Sequence, residues 1–294
     1  MDFSAVGKKI RELRRNIGLS QEELSEGICT QAQISKIEKG DVYPYASTLY
    51  LISQKLGVDV NYFFDIGMTP RLDYVQEVKR QLFQARRNFN YDEMRQVVET
   101  EGQNPLFTQN NKNLQLLLWH KGIYQYELEK DMDTALETLF SAIQLTHLSN
   151  KYWSEREIEI MLTIGAIHFQ EDQLDEALEV YQNIQKYIRT IPYITDYTIK
   201  SRLDYNIART LTRLHKYEES NDYCVAGINW CIQKDNLFVL GELHYHLGYN
   251  YELLGDYEKG IRYMEKALIV FDLQQDEKYS TYIKEKIKQL EGKL

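Results

Sequence analysis

The chain has 294 residues, enough for one large domain or two unequal ones. Its 43% hydrophobic and 27% charged residues, with both signs mixed, exclude a disordered or fibrous chain. Three cysteines exclude a disulfide framework, and no run of about 18 apolar residues marks a membrane span. The N-terminus lacks the apolar stretch of a secretory signal, so a reducing, cytoplasmic setting is expected. Only 4 Pro and 15 Gly favour helix over a loop-rich β fold. The net charge is −9; residues 1–65 carry 8 basic and 9 acidic side chains and the remaining 229 carry 27 and 35. Neither part is polybasic, so any DNA contact must come from a local patch on one element.

Five short helices are read in the first 65 residues. Val6, Ile10, Leu13 and Ile17 have helical spacing over 6–16, and Gly18 stops that run. Ser20, with Glu23 three residues on, forms a capping box that opens a helix over 21–26. Thr30 caps a third helix over 31–39, ended by Gly40, with Ile34 and Ile37 inward. A fourth covers about 46–56, and Asp59 opens a fifth carrying Tyr62, Phe63 and Phe64. Two short helices joined by a tight turn inside such a bundle describe a helix-turn-helix domain, here over 1–66.

The segments Gly18-Leu19-Ser20-Gln21-Glu22-Glu23-Leu24, Gln31 through Gly40 and Leu56-Gly57-Val58 resemble the Xre/Cro/phage-repressor DNA-binding domains. With Ile34 and Ile37 inward, Gln31, Ala32, Ser35 and Lys36 face a major groove, with Gln33 at the edge. Gln suits adenine, Lys the guanine acceptors and Ala a thymine methyl. Gln21 and the amides at the start of the second helix are expected to hold a phosphate. Thr30 and Lys39 complete the DNA-facing set. Five cations, Lys8, Lys9, Arg11, Arg14 and Arg15, lie on the first helix. The resemblance implies that Arg14 pairs with Glu38 as a structural ion pair.

Gly67 to Pro70 marks an expected boundary. Beyond it a unit recurs, with a key buried position at Met94, Ala135, Ala177, Ser220 and Gly260, spaced 41, 42, 43 and 40 residues apart. This resembles the tetratricopeptide repeat (TPR), with a period longer than the usual ~34. Five repeats are expected at about 70–105, 112–150, 154–191, 197–234 and 237–274, giving a repeat superhelix over 70–275. A capping helix over 276–294 follows. The fold class is therefore all-α. The first helix of each repeat would line a concave groove, with Arg87, Tyr124, Tyr205, Asn206, Arg209, Tyr245 and Tyr249 among its candidates. His120, Leu162, Ala166, Phe169 and Glu252 are counted onto the same wall. Aromatics, an amide and arginines suit an extended peptide.

A head of the Xre type followed by long TPR-like repeats resembles the RNPP family of Gram-positive quorum-sensing regulators, with its PlcR type the most similar. The resemblance implies a homodimeric transcription regulator of double-stranded DNA, controlled by a short signalling peptide. It places Asn206 and Arg87 at peptide-contact positions and adds Tyr279. Repeat three departs from the PlcR pattern, with Ala166 where a polar amide is expected. The competing class is a TPR protein that acts on another protein, such as a phosphatase of response regulators. No enzyme constellation, cofactor motif or metal site is found; His244 and His246 point apart on one helix. Cys224 and Cys231 read as core packing with redox sensing as the alternative, and Trp119, Trp153 and Trp230 read as core.

Overall fold

A computed structural model describes residues 2–69, 71–149, 152–191 and 193–294; Pro70, expected at the domain boundary, lies outside them. The described residues are helical throughout, with no strand and a single isolated bridge between Ser149 and Tyr152. They form two compact units, one ending at His120 and the other covering Lys121–Leu294. That division falls within a helix, whereas the sequence reading places its break at 66–70.

The first unit begins with five helices: α1 (Phe3–Asn16), α2 (Gln21–Ser25), α3 (Gln31–Lys39), α4 (Ala46–Leu56) and α5 (Val60–Met68). Helix α1 starts three residues earlier than its apolar spacing indicates. The Asp2 carboxylate accepts from the Ser4 and Ala5 amides and caps it there. The capping box on Ser20 and Glu23 is present, and Gly40 takes the left-handed conformation (φ 81°) that ends α3. Gly67 and Met68, expected to break the chain, continue α5; Gly67 is buried and its carbonyl accepts from the Asp2 amide.

Val6, Ile10, Leu24, Ile34, Ile52 and Phe63 are fully buried in one core. Each such side chain contributes roughly 1.5–3 kcal/mol by leaving water. Within this core the Arg14 guanidinium meets the Glu38 carboxylate at two points, Nε to Oε1 at 2.5 Å and Nη2 to Oε2 at 2.9 Å. Burial pushes Glu38 upward. Hydrogen bonds from Arg14 and Gln21 and the charge of Arg14 outweigh that push and hold its carboxyl below the usual range.

Helices α6 (Leu72–Arg87), α7 (Tyr91–Glu101) and α8 (Pro105–Thr108) follow, and α9 (Asn111–Tyr124) crosses into the second unit. A π-helical turn (Gln125–Glu129) extends α9. Then come α10 (Met132–Gln144), α11 (Glu155–Gln170), α12 (Leu174–Ile188), α13 (Thr198–Arg213), α14 (Tyr217–Gln233), α15 (Leu240–Leu253), α16 (Tyr257–Leu273) and α17 (Glu277–Glu291). Helix α6 packs on α7, each helix from α10 to α17 packs on the next, and α11, α13 and α15 also lie side by side.

The recurring position is buried in every pair: Met94, Ala135, Ala177 and Ser220 show no exposure, and Gly260 is also buried. A Cβ on Gly248 would lie 2.8 Å from the Gly260 carbonyl oxygen, and one on Gly165 would collide with the Tyr181 ring. Helices of 13 to 17 residues in α10–α17, longer than the TPR consensus, account for the long period. Trp119 and Trp153 are buried as expected, but Trp230 is only half-buried. Its indole N–H donates to the Tyr197 carbonyl at the surface, with Lys200 and Lys234 over the ring. No helix among the described residues is long and apolar enough to cross a membrane.

Two outcomes follow from this packing. Gly165→Ala should cost about 1–3 kcal/mol by forcing α11 from α12, read as a thermal midpoint lower by several degrees; an unchanged midpoint would refute the close crossing. The depressed Glu38 pKa stabilises the fold above the unfolded carboxylate range, and that stability is lost as pH falls through the folded value. Glu38→Gln should therefore lower protection of α1 and α3 amides from hydrogen exchange at pH 7 and flatten their acid dependence.

Candidate functional site

On the first unit the outer face of α3 carries Gln31, Ala32, Lys36 and Lys39, all exposed, with Gln33 and Ser35 at its half-buried margins. Thr30 is exposed, and its hydroxyl accepts from the Gln33 amide as the cap of α3. Lys8, Arg11 and Arg15 add exposed positive charge on α1, whereas Lys9 is engaged by Glu12 at 2.7 Å.

Gln21, expected to hold a phosphate, is half-buried and engaged by two neighbouring side chains, which leaves one N–H of its amide. Its amide nitrogen donates to Glu38 Oε2 at 2.8 Å, and its carbonyl oxygen accepts from Gln31 Nε2 at 2.8 Å. The start of α2 is partly occupied as well. Its capping box uses the Ser20 and Glu23 amides and sets the Glu23 carboxylate there, held low by the Ser20 amide. The result is a chain of contacts, Arg14 to Glu38 to Gln21 to Gln31, that runs from the core to the first residue of α3. It fixes the Gln31 amide plane and leaves its Oε1 and second N–H facing outward.

On the second unit, α11, α13 and α15 frame a cavity of about 320 Å³ whose walls include Phe169, Arg209, Arg213, His246, Tyr249 and Leu253. A narrower cleft beside it is lined by Ala166, Gln170, Asn206 and again Phe169 and Arg209. The guanidinium of Arg209 lies over the rings of Phe169 (4.4 Å to the centroid) and Tyr205 (5.5 Å). Burial pushes the Tyr205 hydroxyl up to about 12, so it is a neutral donor.

The far wall is set by a buried network. Thr212 Oγ1 bonds His246 Nε2 (2.8 Å) and Asn250 Oδ1 (2.7 Å), and Asn250 Nδ2 donates to Ser220 Oγ (2.7 Å). Burial lowers His246 to about 4, which keeps the imidazole neutral near pH 7.

The predicted peptide residues separate by position. Asn206, Arg209 and Tyr249 line the cavities, and Tyr205 and Tyr245 adjoin them, Tyr205 through Arg209 and Tyr245 by stacking on Tyr249 at 6.4 Å. The Tyr245 hydroxyl also bonds that of Tyr282 at 3.0 Å. Tyr279 is exposed and stacks on Phe271 at 5.1 Å; it is near enough to Tyr205 to act on its hydroxyl but is not among the residues that line the cavities. Tyr124 is corrected: it is 5% exposed, because the second half of α9 is buried on nearly every side, with Leu116, Leu117, Trp119, His120 and Ile123 buried alongside it. Arg87 is exposed at the end of α6 in the other unit.

Of the other residues counted onto the wall, His120 and Leu162 are buried, and Glu252 pairs with Lys286 at 2.9 Å. Sequence reasoning passed over Arg213, one turn beyond Arg209, and assigned His246 no role beyond groove or packing. Their common signal is spacing on the helix face shared with Arg209 and Tyr249. His244 stacks on Tyr263, and no group of described residues is arranged to hold a metal ion. Cys224 and Cys231 are buried, and burial raises the Cys224 thiol to about 12. A thiol so placed is inert at neutral pH, against the redox alternative.

Residues 10–63 match the helix-turn-helix family model, and residues 79–290 match the model of the RNPP family C-terminal domain. An uncharacterized HTH-type transcriptional regulator of Sinorhizobium medicae (strain WSM419) is 48% identical over 61 residues, 20% of this chain. The match spans 44% of that protein's length. The crystal structure of Bacillus thuringiensis PlcR in complex with the peptide PapR7 and DNA is similar with a TM-score of 0.85 at 23% identity, over 95% of this chain and 99% of that one. ComR of S. thermophilus in complex with DNA and its signalling peptide ComS gives a TM-score of 0.65 at 17% identity, over 97% and 99%. At these identities the likeness to the solved structures is one of fold. The RNPP model covers well over half of the chain, and the chain therefore belongs to the RNPP family, with a helix-turn-helix unit ahead of the family's C-terminal domain.

Proposed function

We propose that this protein is a cytoplasmic, sequence-specific transcription regulator of the PlcR type. In this reading it binds a palindromic site as a homodimer and is governed by a short peptide in the groove of α11, α13 and α15. The observation that carries the DNA part is the relay that holds Gln31 outward at the start of α3. An amide fixed in this way offers one acceptor and one donor, the pair that an adenine edge requires. Ala32 would meet a thymine methyl and Lys36 a guanine. Thr30, Gln33, Ser35 and Lys39, with Lys8, Arg11 and Arg15, would contact the backbone and fix register.

Two copies of α3 must reach successive major grooves, about 34–36 Å apart. A peptide regulates that spacing only through unequal affinity for two arrangements, and a near-complete switch needs about 5.5 kcal/mol of difference. Asn206 would pair with peptide backbone, while Tyr205, Arg209, Tyr245 and Tyr249 would contact side chains, with Tyr279 at the margin. The structures of PlcR and ComR, each in complex with DNA and a peptide, support this reading by analogy of fold. The helix-turn-helix unit favours it over action on a response regulator alone.

Selection of duplexes from a random pool by the full chain tests the proposal. An inverted repeat should be enriched. Gln31→Ala should relax one base position per half-site at a cost of about 1–3 kcal/mol, and Lys39→Ala should weaken all sequences alike and reduce the salt slope. A library of short peptides should contain members that change operator affinity; no enrichment with or without peptides would refute the DNA reading, and constant affinity throughout would refute the control.

A further inference from the structure

Three arginines share one face of α13, and two of them are already satisfied. Arg202 pairs with Glu159 at 2.9 Å and Asp196 at 3.4 Å. Arg213 pairs with Asp172 at 2.6 Å and donates to the Phe169 carbonyl at 3.1 Å. Arg209, between them, has no carboxylate partner among the described residues; it is half-buried against the rings of Phe169 and Tyr205. Aromatic faces hold a guanidinium in place, but its in-plane N–H donors still seek an anion.

The surroundings supply none. The walls of both cavities contain two arginines, two histidines and several rings, and not one Asp or Glu. Since Arg213 is already paired with Asp172, this leaves Arg209 as the uncompensated cation of the walls in a chain of net charge −9. The wider cavity, about 320 Å³, lies within the range of roughly 300–1,000 Å³ that ligand sites occupy. Its remaining wall, formed by Tyr217, Tyr249 and Leu253 beside a neutral His246, is largely apolar.

We propose that this cavity is a carboxylate pocket, in which Arg209 takes the carboxylate of a peptide ligand while Phe169, Tyr249 and Leu253 enclose an adjacent large apolar side chain. The proposal rests on the peptide reading of the groove and deepens it by naming the chemistry that the ligand must carry. The carboxylate is either the peptide's own terminus or an acidic side chain next to an apolar one. Arg209 and Asn206, one turn apart on α13, would then hold an end and a backbone amide of the same strand.

Ligand-observed NMR on the full chain with three small probes tests the pocket: N-acetyl-phenylalanine as free acid, N-acetyl-phenylalanine amide, and N-acetyl-Asp-Phe amide. At least one acid should bind ~10-fold or more tightly than the uncharged amide, the loss expected for one charge-assisted contact. Preference for the free acid identifies the terminal carboxylate, and preference for the Asp probe identifies a side chain. Arg209→Met should abolish the difference between acid and amide, and Arg209→Lys should retain part of it. Equal binding of acid and amide overturns the proposal, as does no binding at millimolar concentration. Displacement of the acid by equal inorganic phosphate would mark a general anion site and overturn it too. Because the wild-type comparison needs no variant, it stands even where a substitution unfolds the chain. Peptides that change DNA affinity without any gain from a carboxylate would sink the pocket alone; acids that bind while no peptide alters DNA affinity would sink the control alone.

Discussion

Everything in the second unit depends on how closely two helices of a pair can approach. The residue at each crossing is small or flexible and buried: Ala135, Ala177, Ser220 and Gly260. Opposite them lie Gly165 and Gly248, where a methyl group would strike a ring or a backbone carbonyl. Close approach lets Tyr181, Leu243 and Met264 fill the space beside each crossing, and their burial stabilises a pair that could not fold alone. The spacing of α11, α13 and α15 is a consequence of those contacts, and the cavity is what remains between the ends of the three helices.

The first unit is governed by a buried charge. Leaving Glu38 unpaired in its core would cost several kcal/mol, so Arg14 is held to it by geometry as much as by attraction. The pair also has a use beyond stability. Glu38 has a third hydrogen bond to spare, and it goes to Gln21, which in turn orients Gln31. A contact in the core thereby sets the pose of a side chain on the surface. The exposed face of α3 acquires one polar group held by neighbours, beside the exposed Lys36 and Lys39.

The two candidate sites were legible to different degrees. The face of α3 follows from Ile34 and Ile37 alone, since a helix with two fixed inward positions leaves little choice for the rest. The place of Gln21 in the relay is not visible in the sequence, because its partners, 17 and 10 residues away in the chain, are brought to it by the turn between helices. The burial of Tyr124 does not follow from its spacing, because α9 is covered on nearly every side and has no single inward face for a 3.6-residue pattern to report. In the groove, the spacing of Asn206 and Arg209 placed them on one face, but the spacing carries no information on which arginine lacks a partner.

The order of residues by itself determined the all-helical class, the five-helix head, the repeat and the Arg14–Glu38 pair, the last through likeness to a known pattern. These rest on local periodicity, caps and spacing, which are properties of short stretches of chain. Only the folded arrangement decided that Arg202 and Arg213 are neutralised while Arg209 is not, and that His246 is a buried wall residue bonded to Thr212. Those outcomes turn on groups 34 to 43 residues distant meeting within about 3 Å, and such meetings are set by how helices pack, not by the helix on which each residue sits.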